Sequence, residues 1–523
     1  MKSGSEARWT IPSSWAWTSI GELGHLVGGG TPSTKDAAYW KDEIPWICPA
    51  DLTGHSAKTI KRGARGISRL GLADSSARVM PAGTVHFSSR APVGYVVIST
   101  ESLATNQGFK SLVPAPGVFN EYVYYYLRAS RTLARERASG TTFLELSKRS
   151  FGALPIPLAP EREQFRIVAK VEELFSELDK FVESLRTARA QLAAYRQSVL
   201  KHSFEGKLTA QWRDENRDKL ETSEQLLARI KRERVACYAQ QLEEWRAGVK
   251  AWEENRKLGK RPQFPRKLDD LSRPSSAETE TLAPVARGWV YMRLGLVIDE
   301  PKYGTSKKCE YNQTGAGVLR IPNVVRGLVD ASDLKTAHFA KDEKRKYSLR
   351  SGDVLMIRSN GSISIVGKCA LVSKADEQYL FAGYLIRLRP NPEVLLPDYL
   401  AAVLSSHLLR TQIERAAKST SGVNNINSGE IQSLLVPVCG LHEQAALVEQ
   451  LSAYLSAVDV METEINKELL RAESLRQAIF KRAFSGQLVP QDPNDEPASV
   501  LLDRIRAERQ RSGKGRRRAR AVA

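Results

Sequence analysis

The chain has 523 residues, a formal net charge of +19, 42% hydrophobic residues and five cysteines. At roughly 150 residues per domain this length predicts three or four folded units with cores of their own. Cys48, Cys237, Cys309, Cys369 and Cys439 are odd in number, widely spaced and without a Cys-x-x-Cys pair, which argues against a disulfide framework or zinc ribbon, and the absence of an apolar leader or a run of about 18 apolar residues predicts a soluble cytoplasmic protein with no membrane span.

From the N-terminus, residues 10–157 mix short β-branched runs at 84–87 and 95–98 with a turn at Gly28-Gly29-Gly30-Thr31-Pro32 and one helix predicted over 121–130, the pattern of a compact α/β domain. After Pro160, Ile167, Val171, Leu174, Leu178, Phe181, Leu185, Ala188, Leu192, Tyr195 and Val199 recur at steps alternating between four and three. This is a heptad seam; Glu161 and Glu163 suit the positive end of its helix dipole, and the pattern stops near Gly206. Residues 221–261 are highly charged and helix-prone, with Trp245 and Trp252 one heptad apart, and 262–284 reads as a linker rich in Pro, Ser and charge. This stretch reads equally as an arm that docks a partner or as a solvated spacer.

Residues 288–437 repeat the α/β pattern, with a strand at 353–357 and a helix at 398–410. A second seam follows as Leu447, Leu451, Tyr454, Val458, Met461, Ile465, Glu468, Ala472, Leu475 and Ile479, with Glu468 its one polar member. From Arg504 onward nine basic residues face Glu508 alone, leaving +8 of the total in the tail, so the positive charge by itself is a weak pointer to nucleic acid. The tail reads as a solubilising end or as a phosphate-contacting arm.

The strongest signal is an internal repeat. Ile156-Pro157, Glu163-Gln164 and Ile167-Val168 recur 280 positions later as Val436-Pro437, Glu443-Gln444 and Leu447-Val448. The same offset carries the thirteen residues from Arg196 to Leu208 onto those from Arg476 to Leu488 without a gap. Leu226-Leu227 and Ile230 resemble Leu501-Leu502 and Ile505, and Trp15, Gly21 and Gly30-Thr31 resemble Trp289, Gly295 and Gly304-Thr305. Between these matched parts the halves diverge at similar length. One architecture with two different surfaces follows, with pseudo-twofold symmetry; the two seams are expected to pack as an antiparallel pair, the alternatives being that each covers its own domain or forms a homodimer. A helix of some 40 residues spans about 60 Å, longer than one turn of B-DNA at about 34 to 36 Å, so such a pair would hold the two divergent domains a fixed distance apart.

If both domains bind DNA but read different bases, shared features are scaffold or phosphate contacts and unmatched polar loops carry readout. Gly30-Thr31 and Gly304-Thr305 are therefore turns or backbone-binding elements. The candidates for readout are Lys35, Ser88, Ser89, Arg90, Asn106, Gln107, Thr141 and Thr142 in the first domain, and Lys307, Lys308, Arg358, Ser359, Asn360, Asn424, Asn425 and Asn427 in the second. Arg suits guanine, and Asn or Gln suits adenine, through bidentate pairing in the major groove.

No catalytic residue is assigned. The chain lacks a Pro-Pro dipeptide, which a DNA methyltransferase would need in its Asn/Asp-Pro-Pro-aromatic motif; Gly315-Ala316-Gly317 lacks the third glycine of a dinucleotide turn; and the segment ending at Gly367-Lys368 carries Cys369 where a phosphate loop needs Ser or Thr. Asp342-Glu343-Lys344 reads as a solvated charge run, and the seven histidines show no metal spacing.

The segments Ile156-Pro157-Leu158-Ala159-Pro160 with Glu163-Gln164, Phe204-Glu205-Gly206-Lys207-Leu208, Phe484-Ser485-Gly486-Gln487-Leu488 and Glu496-Pro497-Ala498 before Leu501-Leu502 resemble the specificity subunits of type I restriction-modification systems. Gly30-Thr31-Pro32-Ser33, Ile44-Pro45-Trp46-Ile47 and Asn106-Gln107-Gly108 are similar to that family's target-recognition domains, whereas Ile321-Pro322-Asn323 and Gly383-Tyr384 depart from its pattern in the second domain. The resemblance implies an α+β fold of two target-recognition domains, at 1–157 and 285–437, with helical spacers at 158–261 and 438–510, a linker at 262–284 and a basic tail at 511–523. It implies a noncatalytic subunit that reads a bipartite double-stranded DNA target. Its partners would be two modification subunits, which carry the S-adenosylmethionine, and restriction subunits. A divergent methyltransferase and a coiled-coil scaffold without sequence preference are the competing readings.

Overall fold

The computed structural model describes residues 10–139, 144–254, 261–265, 274–311, 314–325, 327–420 and 422–521, with side chains at all of these except 418–420 and 512–521. The chain forms two compact units: Met1–Arg186 together with Asn466–Ala523, and Thr187–Ile465.

In the first unit, strands Gly24–Gly28, Phe109–Pro114, Val85–Ser88, Val96–Ser99 and Thr59–Ile60 lie in that order in one sheet, antiparallel except for the last pair. Arg65–Ile67, Ile44–Ile47 and Ala104–Thr105 form a second sheet, and Ala16–Ser19 pairs with Pro155–Leu158. The second unit repeats the plan. Lys302–Tyr303, Leu385–Leu388, Val354–Ile357, Cys369–Leu371 and Gly327–Val329 take the same order, Val324–Val325 adds an edge, and Val290–Arg293 pairs with Leu435–Val438. The central strands are apolar on both faces because each sheet is covered twice. Val85, Phe87 and Leu112 enter one core of the first unit while Val97 and Phe109 enter another; Val354 and Met356 are likewise divided from Leu355 and Ile357 in the second.

The helix expected at 121–130 is Asn120–Ala129. The one expected at 398–410 is two helices, Pro397–Leu404 and His407–Ala416. The break falls at Ser406, whose hydroxyl accepts the Leu409 N–H as a helix cap and donates to the Val403 carbonyl at 2.6 Å.

The two heptad segments fold as helices of 44 residues, Glu161–Phe204 and Leu441–Phe484, and they pack antiparallel in both units. In the first unit the Phe175 ring lies 5.0 Å from that of Phe480, and Arg476 pairs with Asp179 while covering Phe175 at 4.7 Å. In the second, Arg196 pairs with Asp459, the equivalent ion pair at the repeat offset. The buried line follows every seventh residue: Val171, Leu178 and Val199 on the first helix, Leu451, Val458, Ala472 and Ile479 on the second, with Leu185, Leu192 and Ile465 half-buried. The alternate heptad positions differ from the expected closed seam. Leu174 is half-buried, but Phe181, Tyr454, Met461 and Leu475 are 44 to 54% exposed. Ile167 and Leu447, at the starts of the helices, are buried, so the flank of the helix pair is open only at the intervening positions.

The repeated Glu-Gln pair fixes where each long helix begins. Gln164 accepts the Phe119 N–H at 2.8 Å and donates to the Ala159 carbonyl at 3.0 Å; Gln444 accepts from Leu396 at 2.9 Å and donates to Val394 and Cys439 at 2.9 and 2.8 Å. Both side chains are wholly buried, so these bonds replace water completely. Glu163 accepts from the Trp15 indole and Gln491, and Glu443 from Thr209 and Arg213. At the far ends, Gly206 and Gly486 adopt φ of +75° and +73°, and a Cβ there would meet Ala286 and Pro12 respectively. The Phe-x-Gly-x-Leu repeat is thus a helix stop pressed against the start of a sheet domain.

His86 is fully buried among apolar neighbours, with Nδ1 2.9 Å from the Ser111 hydroxyl, and burial drives its pKa down to about 3. The unfolded chain takes up this proton near pH 6.5 and the folded chain does not, so the associated stability is present above pH 6.5 and is lost as pH falls towards 3. The expected slope is about 1.4 kcal/mol per pH unit inside that window. Denaturant titrations of the wild type and His86→Gln at pH 7 and pH 5 check this; an identical pH slope in the two proteins would remove His86 from the account.

Candidate nucleic-acid interface

Both sheet domains build the same edge. In the first, the strand ending at Ser88 continues into Ser89, whose carbonyl accepts the Leu146 N–H at 2.9 Å. In the second, Arg358 follows Val354–Ile357 and its carbonyl accepts the Ile426 N–H at the same distance. Beyond these bonds Ser139 and Glu145 exchange backbone hydrogen bonds, and their counterparts form a hairpin of Lys418–Thr420 and Val423–Asn425 against Ser359–Asn360. Ser147 and Asn427 then cap equivalent short helices by accepting the N–H groups of Ser150 and Glu430.

The shared Gly-Thr turns lie beside this edge. Gly30 donates to the Thr105 carbonyl at 2.8 Å, and Thr305 donates to Phe381 at 2.8 Å. A Cβ on Gly304 would stand 2.3 Å from the Ala382 carbonyl oxygen, so glycine is required by close backbone approach.

Within this frame the sequence-predicted residues take different places. Ser88 and Ser89 are fully buried: Ser88 accepts from Gly94 and Tyr95, and Ser89 donates to the Gly108 carbonyl. Asn106 closes its own turn by accepting the Gly108 N–H, and Gln107 is exposed beside Thr31. Arg90 is 3.8 Å from Glu145 and partly exposed, and Lys35 is exposed. Thr141 and Thr142 lie outside the described residues.

In the second domain the hairpin register brings Ser359 opposite Asn425 and Asn360 opposite Asn424. Arg358 stacks on Tyr303 at 4.8 Å and donates to the Gly383 carbonyl. Its Nε is buried with no hydrogen-bond partner among the described residues. Asn360 accepts from Ser362, Asn424 donates to Gly361, and Asn427 is a helix cap. Lys307 and Lys308 pair with Glu343 and Glu310 at 3.2 and 2.8 Å, away from the hairpin register.

The edge also carries residues outside the sequence-predicted candidates: Lys110 and Glu145 in the first domain, Tyr303 and Tyr384 in the second. Lys110 is nearly buried yet reaches Ser89, Gln107 and Glu145 at 3.1 to 3.4 Å. Tyr303 and Tyr384 are 41 and 62% exposed. Their adjacency to Gly304-Thr305 and Gly383 was the available signal.

The family profile described as the type I restriction modification DNA specificity domain matches residues 12–186 and 287–471. The chain belongs to this family. The EcoKI specificity subunit of Escherichia coli is 26% identical over 77% of this chain and 74% of its own length. The MjaIX specificity subunit of Methanocaldococcus jannaschii is 35% identical over 37% of this chain, a match that spans less than half, 44%, of that relative. A solved chain from work on complex assembly and conformational transition of the type I R-M system superposes with a TM-score of 0.63 at 18% identity, covering 92% of this chain and all of that one, which establishes a shared fold. Membership in this family gives the chain a DNA-specificity role in type I restriction modification. Among the described residues no helix is long and apolar enough to cross a membrane.

Proposed function

We propose that each sheet domain, 1–157 and 285–437, reads one half of a split double-stranded DNA target, with the helical segments 158–261 and 438–510 as the spacer and 262–284 as a linker. The observation that carries this reading is a common backbone edge with unlike side chains: Arg90 and Glu145 in the first domain, Ser359 and Asn425 in the second. Identical frames give both domains the same docking geometry, and dissimilar side chains give them different base preferences.

Two modification subunits carrying S-adenosylmethionine dock on the helical segments, and restriction subunits join that cytoplasmic complex. Support comes from the exposed apolar heptad positions and from a groove of about 460 Å³ in the first unit, lined by Leu174, Phe181, Leu475 and Leu488.

Co-expression with modification subunits, followed by selection from random DNA and mapping of methylated positions, tests the assignment. Two specified blocks separated by unspecified bases are expected. A single contiguous motif, or none, would refute it.

A further inference from the structure

We infer that Asn425 is a base-reading residue of the second domain and that it recognises adenine. This rests on the split-target reading above. Four asparagines lie on or beside the hairpin edge, and three are spent inside the protein: Asn360 on the Ser362 N–H, Asn424 on the Gly361 carbonyl, Asn427 on the Glu430 N–H. Asn425 is exposed, and among the described residues its carboxamide makes no hydrogen bond.

Its placement is fixed despite that freedom. The strand Val423–Asn425 is the middle of three, held by Ser359–Asn360 on one side and Lys418–Thr420 on the other, and the Ile426 N–H bond to Arg358 anchors the next residue. An exposed carboxamide at the end of a hydrogen-bonded strand can present its oxygen and its NH2 together, the paired acceptor and donor that an adenine edge takes in the major groove. Exposed Val423 on the same strand, with Tyr303 and Tyr384 on the domain, leaves the surface open.

The duplication supplies an independent argument. At the repeat offset of 280, Asn425 corresponds to Glu145, and the flanking bonds of Leu146 and Ile426 coincide. In the first domain that position is neutralised by Lys110 and faces Arg90. At this position the two domains therefore keep the backbone and change the chemistry, as positions that read two different half-targets must.

The test compares target selection and methylation by the full complex carrying wild-type chain, Asn425→Ala and Asn425→Ser. Preference at one adenine in one half of the motif should fall about ten- to hundredfold, while the other half keeps its full preference as an internal control. Retention of full preference in both halves would overturn the inference while leaving the split-target reading intact; absence of a split motif in the wild type would overturn that reading itself. Loss of binding to every sequence, or loss of the folded state, in both variants would make Asn425 structural and overturn the inference as well.

Discussion

Phe181→Asp combined with Leu475→Asp is expected to leave the first unit folded and to abolish assembly with modification subunits, lowering methylation by more than about a hundredfold. Both side chains are about half exposed, on the heptad positions that the helix pair leaves uncovered. Their replacement removes little from the core, so the change in stability should stay near the scale of ordinary surface substitutions, about 0.5 kcal/mol. In a docked complex each would be an apolar anchor worth about 2 kcal/mol or more, and aspartate adds the cost of burying a charge. Co-elution with the modification subunits and thermal unfolding of the free chain separate the two effects. A complex of unchanged affinity would show that partners bind elsewhere.

Phe484→Ala should be the most damaging single truncation in the first unit, costing about 3 to 5 kcal/mol. The side chain is wholly buried, and its ring meets Tyr126 at 5.0 Å, Tyr122 at 5.4 Å and Phe480 at 6.3 Å. No small shift refills that space, because Tyr122 and Tyr126 are themselves tied to the carbonyls of Pro157 and Pro155. Amide hydrogen exchange on the full chain reads the outcome: protection should fall around 120–129 and 155–158 and persist around 354–357. Uniform loss in both units, or no loss, would contradict this assignment of the ring to the first core.

These two positions also show what was legible in the sequence. Phe484 belongs to a gapless repeat, so its importance could be read from self-similarity, and the heptad rhythm correctly gave the long helices. The rhythm says which residues are apolar but not how many neighbours they meet, so exposure at Phe181 and Leu475 was invisible. Among the polar candidates, Ser88, Ser89, Asn106 and Asn427 sat in unmatched loops as readout residues would, yet short polar side chains also serve nearby backbone groups in tight turns. Only tertiary placement distinguishes a serine facing solvent from one bonded to the Gly108 carbonyl. The Glu-Gln pairs were visible as a motif, while their partners at Phe119, Leu396 and Val394 are some 45 to 50 residues away and could not be inferred locally.

The first unit draws on both ends of the described chain, and this bears on the order in which the protein is made. Tyr122 and Leu178 leave the ribosome long before Phe480, Phe484 and Leu501, with which they share a core. At about 5 to 20 residues per second, some 300 intervening residues take on the order of 15 to 60 seconds to synthesise. During that interval the second unit, a single continuous stretch from Thr187 to Ile465, can complete its own core. The domain synthesised first is therefore the last to close, and for much of translation its apolar face awaits a segment still being added.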